Sequence, residues 1–379
     1  MSTGLNMSTG LKLTYSDMQA ETARLAERFC AQHSIPENVR ALMGAETGYD
    51  EAVWAEMAGL GLCGLAIDAA HGGAGLGVAE LVPVLEQMGR RLMAGPYLDT
   101  VLAGLLIART GSAAQKENWL RAICGGRNFA LGFAEAGAEA YLEGTQAKGR
   151  WQADHLVLSG EKCLLAFAAS VDFILVHVRV DGTPALAVVE RANLPDGALR
   201  KEDVIDETMR SFSLSLDGLD VARTDVIAHA ELAAHLEEHY QAANLLNAAR
   251  MCGGARAALD LSVDYATTRI QFGRPIGSYQ AIKHTLVDVW ISYEKARSLL
   301  YAAACARESD RERAVRMARI KAEAAFAFAA DRAIQYHGAF GFTHECDAGL
   351  YRRRALYCAA LYDNAQLHKR QLATSMFQG

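Results

Sequence analysis

The feature that most constrains this chain is a hydrophobic period that changes twice along its 379 residues. From residue 15 to about 126, apolar side chains recur every three or four positions, as at Met18, Leu25 and Phe29 or Trp54, Met57 and Leu60, which is the pattern of packed helices. Between about 127 and 230 the helical pattern stops. Short runs rich in Val, Ile, Leu and Phe replace it, at 155–159 (HLVLS), 172–180 (DFILVHVRV), 185–189 and 212–216. Turn signals at Asp181-Gly182-Thr183-Pro184 and Pro195-Asp196-Gly197 separate them, and these runs read as strands. From 231 the helical period returns in four segments, about 232–268, 279–307, 311–338 and 348–376, with loops at 272–277 and 338–345. The chain is therefore of α+β class: an N-terminal helical bundle (15–126), a middle β domain (127–230) and a C-terminal four-helix bundle (231–379). Residues 1–14, which repeat MSTGL, read as a disordered or vector-derived start.

Strands grouped between helices do not make a doubly wound parallel sheet, which needs the two to alternate. The glycine cluster HGGAGLG at 71–77 therefore reads as a tight turn between helices of the first bundle rather than as a dinucleotide loop.

Composition removes several function classes. A net charge of −6, with no basic run longer than Arg352-Arg353-Arg354, argues against nucleic-acid binding. Apolar stretches such as 101–108 fall far short of the ~20 residues that span a bilayer, and no leader-like segment opens the sequence. Eight scattered cysteines without a CxxC pair read as buried thiols in a reducing compartment, so the cytoplasm is the expected address. No GxSxG, HExxH or P-loop motif is present. His284 and Asp288, four apart, read as a solvated polar stripe rather than a metal pair.

The chemistry concentrates in the last bundle. Arg269, Gln271, Phe272, Gly273 and Arg274 follow one helix and precede Pro275. A cation, an amide and an aromatic plane beside a rigid turn suit stacking on an adenine and hydrogen bonding to a pyrophosphate. Further on, Ala333-Ile334-Gln335-Tyr336-His337-Gly338-Ala339-Phe340-Gly341-Phe342 offers glycines that admit a ligand close to backbone amides.

With these two segments in a helix–strand–helix chain, the sequence resembles the acyl-CoA dehydrogenase family over essentially its whole length. The family patterns RxxFGxPI and AxQxxGGxGFxxE stand here at 269–276 and 333–345, with Ala339 in place of the second glycine. The resemblance implies a β-barrel-like middle domain, a homodimer or tetramer, and FAD bound between domains and across a subunit interface. It implies oxidation of an acyl-CoA to the 2,3-enoyl-CoA, with a buried carboxylate as base and electrons passed to an electron-transfer flavoprotein. Arg269, Gln271, Phe272, Gly273, Gln335, Gly338 and Gly341, together with Asn364 and Gln366, are the cofactor-binding positions it implies.

The family's usual catalytic Glu falls at Tyr362, where no carboxylate stands. Asp363 is the substitute candidate, shorter by a methylene and about 100° round if that backbone is helical. The second position at which relatives carry the base falls at Ala243, beside Asn244. Thr-Glu-Pro is replaced by Ala134-Glu135-Ala136, and Trp-Ile-Thr by Leu164-Leu165-Ala166, so side chains that contact the flavin ring in relatives are missing. Keeping the interface half of a cofactor site while lacking the ring half and the base points to an alternative. In it, the chain is a non-catalytic subunit that completes the FAD site of a paralogous acyl-CoA dehydrogenase subunit.

Overall fold

A computed structural model describes residues 17–138 and 140–377. The expected disordered or vector-derived start, 1–14, lies outside the described residues. The first helical layer comprises α1 (Asp17–His33), α2 (Pro36–Met43), α3 (Glu51–Gly59), α4 (Val78–Arg90), α5 (Tyr97–Thr110) and α6 (Ala113–Cys124). Local chemistry sets their ends. Asp50 caps α3 by accepting from the amides of Ala52 and Val53, and Ser112 and Gln115 form a reciprocal capping box on α6. Pro83 inside α4 removes the hydrogen bond that the Ala79 carbonyl would accept, and Gln19 of α1 donates to that carbonyl instead, at 3.4 Å.

The strands are β1 (Phe129–Gly132), β2 (Lys148–Gln152), β3 (His155–Ser159), β4 (Glu161–Ala166), β5 (Phe173–Val180), β6 (Thr183–Glu190), β7 (Leu199–Glu202), β8 (Ser211–Ser215), β9 (Asp220–Ala222) and β10 (Val226–Ile227). One sheet runs β10-β6-β5-β2-β3-β9, with β1 added parallel to β5, and a second sheet runs β4-β8-β7. The four runs read from sequence fall on β3, β5, β6 and β8.

The final bundle is built on α7 (Leu232–Thr268), followed by a small hairpin of β11 (Ile270–Gln271) and β12 (Arg274–Pro275), then α8 (Gln280–Ala304), α9 (Glu308–His337), α10 (Asp347–Ala360) and α11 (Ala365–Phe377). Helix α7 is the spine of the molecule. Gly253 sits so close to α4 that a Cβ there would lie 1.9 Å from the Glu86 carbonyl oxygen, and one on Gly89 would lie 2.0 Å from that of Arg250. The two helices touch backbone to backbone at positions only glycine can fill.

The expected helix over 348–376 is two helices, broken at 361–364. Tyr362 and Asp363 both adopt positive φ, at 54° and 67°. Buried Arg319 of α9 donates to the carbonyls of Cys358, Ala359, Leu361 and Asp363 at 3.2–3.3 Å, taking acceptors that a continuing helix would have used. Asn364 then starts α11 by accepting from the amides of Gln366 and Leu367.

Candidate functional site

The two motif segments meet at one end of the bundle. Helices α7 and α9 end side by side, and the ring of Tyr265 stacks on that of His337 at 4.1 Å between centroids. The hairpin after α7 turns at Phe272-Gly273, with φ of 51° and 80°, and holds Phe272 out so that 92% of it is exposed. Arg269, Gln271 and Arg274 are exposed on the same hairpin, where Arg274 lies over the Tyr279 ring at 4.1 Å. Beyond α9, Gln335 and Gly338 are exposed and Phe342 is 84% exposed. Gly341 is different. It is buried, and a Cβ there would lie 2.4 Å from the Ile334 carbonyl oxygen, so its missing side chain serves packing. Two bulky rings, Phe272 and Phe342, are thus left almost wholly in water at this end of the bundle.

The remaining candidates line a cavity of about 360 Å³ where α5, the strands and the α10–α11 junction come together. Asp363 faces it, yet both its carboxylate oxygens are engaged: Oδ1 accepts from the Tyr141 amide at 3.0 Å and Oδ2 from the Tyr240 hydroxyl at 2.7 Å. Burial raises its pKa, against these two hydrogen bonds. The helical geometry assumed for Asp363 does not hold, because the backbone at 362–363 is left-handed. Tyr362 is buried, its ring meets that of Tyr141 edge-on at 5.2 Å, and its hydroxyl lies 3.5 Å from Asp99 Oδ1. Asn364 lines the cavity and Gln366 is exposed on the first turn of α11.

Ala243 is fully buried in α7, and Asn244 donates to the Tyr240 carbonyl at 3.0 Å, so no carboxylate reaches the cavity from there. Glu135 is spent on structure. It accepts from Lys162 at 2.6 Å and from the amides of Gln146 and Ala147; burial pushes its carboxyl up, but these donors outweigh it and hold the carboxyl below its ordinary value. The glycine turn at 71–77 has its amides at Ala74, Gly75 and Leu76 bonded to the carbonyls of Gly64, Ile67 and Leu65, leaving them unavailable to an anion. His284 and Asp288 are both exposed on α8.

Sequence reading missed Asp99. It is 8% exposed, accepts from the Leu131 amide at 3.1 Å, and has its pKa pushed up to about 7, mainly by burial. The signal was available: it is the one acid in the otherwise apolar run YLDTVLAGLLI that opens α5.

A flavin dinucleotide would meet two unequal halves. The exposed hairpin offers Arg269, Arg274 and Phe272, which would suit an adenine and a pyrophosphate from a neighbouring chain. On the cavity side Ala134, Leu164 and Ala166 present no side-chain donor, while Asp99 and Asp363 present acids. That wall does not fit the carbonyl edge of an isoalloxazine.

Comparison with known proteins agrees with this architecture. The model described as "Acyl-CoA dehydrogenase, N-terminal domain" matches residues 16–127, and "Acyl-CoA dehydrogenase, C-terminal domain" matches 238–376. Acyl-CoA dehydrogenase IpdE2 of Mycobacterium tuberculosis is 30% identical over 352 residues, covering 92% of this chain and 94% of that protein. Among solved structures, the Tcur3481-Tcur3483 steroid ACAD has a TM-score of 0.85 at 28% identity, over 95% of this chain and 98% of that one. The ChsE4-ChsE5 complex from Mycobacterium tuberculosis has a TM-score of 0.88 at 24% identity, over 97% and 100%. Matched at both ends and nearly throughout, the chain belongs to the acyl-CoA dehydrogenase family.

Proposed function

We propose that this chain is one subunit of a two-chain, FAD-dependent acyl-CoA dehydrogenase, in which it completes the cofactor site of a paralogous partner. The observation that carries this reading is the division of the site. The half that faces outward is intact and exposed, while the half that would hold the flavin ring and the base is apolar, tyrosine-filled or locked. With the two hydroxyls and the indole of relatives replaced by Ala134, Ala166 and Leu164, each missing hydrogen bond costs about 0.5–1.5 kcal/mol, so FAD bound here by the lone chain would be weakened by ten-fold or more. Two structural relatives whose names pair two chains support the arrangement.

The assembled enzyme oxidises an acyl-CoA thioester to the 2,3-enoyl-CoA and passes the electrons to an electron-transfer flavoprotein. When bound, FAD would supply the hydride acceptor. This chain's residues bind and orient: Arg269 and Phe272 hold the dinucleotide end, and Gln335 and Gly338 border it. The word steroid in one relative's name favours a bulky, ring-containing acyl group. A second reading keeps catalysis on this chain with Asp363 as base, favoured by its place on the cavity wall and its raised pKa. Its two bound donors favour the first reading.

Flavin content separates the two. The chain is purified alone and after co-expression with its paralogue. Colourless protein alone and a yellow, acyl-CoA-bleachable complex is the expected result. A yellow lone chain that is bleached by an acyl-CoA would overturn it.

A further inference from the structure

Helix α2 is held in place by polar ties more than by an apolar face. Val39 is its one buried residue, its N-cap Ile35 offers no side-chain acceptor, and its last carbonyls, those of Leu42 and Met43, accept from Arg210 of the β region. From this fixed helix Arg40 reaches to a segment more than 300 positions away. Its guanidinium donates from Nε and Nη2 to the His344 carbonyl at 3.2 and 3.1 Å, from Nη2 to the Glu345 carbonyl at 3.0 Å, and from Nη1 to Asp347 Oδ1 at 2.6 Å. One planar fork thus grips two carbonyls and a carboxylate, which the point charge of a lysine cannot do.

The gripped segment has little else to fix it. It leaves α9 at Gly338, with φ of 59° and ψ of −135°, and its own hydrogen bonds are local: the Thr343 amide and hydroxyl donate to the Phe340 carbonyl, and the Cys346 amide donates to that of Thr343. Among the described residues, the side-chain hydrogen bonds that reach 343–347 from another element all come from Arg40. Phe340, 46% exposed, and Phe342, 84% exposed, stand on the same turn, with no side chain laid over Phe342. We propose that Arg40 is a positioning residue for the surface that meets the partner chain: its fork fixes the backbone at 344–347 and thereby sets the direction in which Phe342 is presented. A loop without this tie samples many backbone states, and ordering it on assembly subtracts from the association free energy. The inference rests on the subunit reading and deepens it, by assigning a residue of the N-terminal bundle to a contact made by the C-terminal one.

The test compares the full-length chain with its R40Q, R40K, F342A and R40Q/F342A variants by amide hydrogen exchange, urea denaturation and titration with the purified paralogue. R40Q is expected to speed exchange across 340–346 by about ten-fold and to raise the Kd for the paralogue by about ten-fold, as loss of charge-assisted hydrogen bonds does. The urea midpoint is expected to hold, because His344 and Glu345 are exposed and water replaces the lost donor. In the F342A background the further loss caused by R40Q is expected to shrink to about two-fold or less, since the ring that the tie places is gone. R40K is expected to be within about three-fold of R40Q. Unchanged exchange in R40Q, an affinity that falls only in step with the urea midpoint, an R40Q loss that is the same with and without Phe342, or full affinity in R40K overturns the proposal. Failure of the wild-type chain to bind its paralogue would instead overturn the subunit reading, while exchange in R40Q still decides whether Arg40 holds the loop.

Discussion

Asp99, buried, and Asp363, partly buried, are acids lining one cavity, yet their surroundings give them different duties. Asp363 ties the Tyr141 amide and the Tyr240 hydroxyl to the α10–α11 junction. D363A should therefore destabilise the fold by about 1–3 kcal/mol in urea denaturation, because two buried donors lose their acceptor. A variant with unchanged stability but lost turnover would return Asp363 to the role of base. For Asp99 the folded pKa lies above the ordinary 3.8, so the folded chain holds its proton after the unfolded chain has released it. Stability from this group is present at low pH and is lost as pH rises from about 4 through about 7, by up to ~4 kcal/mol at 1.36 kcal/mol per unit. D99N, which stays neutral, should gain relative to wild type between pH 5 and pH 8; parallel urea midpoints across that range would contradict the assignment. At this scale the motif positions were legible in the sequence. The partners of Asp363, 222 and 123 positions away, were not.

At the scale of the element, the break at 361–364 carries the argument. Neither Gly nor Pro stands in Leu361-Tyr362-Asp363-Asn364, so a continuous helix was the reasonable expectation. The instruction to stop comes from α9, where Arg319, paired with Glu323 at 2.6 Å, claims four carbonyls of the junction. R319M should cost about 3–5 kcal/mol, since it leaves Glu323 without its buried partner and the carbonyls without a donor. The hairpin at 270–275 behaves oppositely: its rings touch little of their own chain, and its sequence pattern alone marked it.

Across the whole molecule, long-range polar ties lock the three regions together. Arg354 of α10 meets Asp206 of the β region at 2.5 Å, both fully buried, and Arg210 donates to the carbonyls of Leu42 and Met43, which end α2, and of Ala45 just after it. Three buried imidazoles, His177, His239 and His368, have pKa values lowered to about 3, 4 and 4, chiefly by burial. Their neutral forms suit the fold, so the stability they lend is present above about 6.5 and is lost as the pH falls toward 4. H239F should move acid unfolding, followed by near-UV circular dichroism, to lower pH; an unmoved midpoint counts against this. Assembly is the other whole-molecule property. F272E changes a ring already in water, so the urea midpoint should hold while light scattering shows loss of the complex with the partner chain. Intact assembly in F272E would place the interface elsewhere.

The sequence by itself determined the order of helix, strand and helix, because periodicity is a local property of which side chains can face a core. It also marked the exposed hairpin motif at 269–276, whose residues are neighbours along the chain. Only the tertiary structure decided that Asp363 is tied down, that Tyr362 turns toward Asp99, and that the Tyr357 hydroxyl is buried without a partner among the described residues. Those facts depend on groups brought together from distant helices, where burial sets hydrogen bonding and charge, and no local pattern encodes burial of that kind.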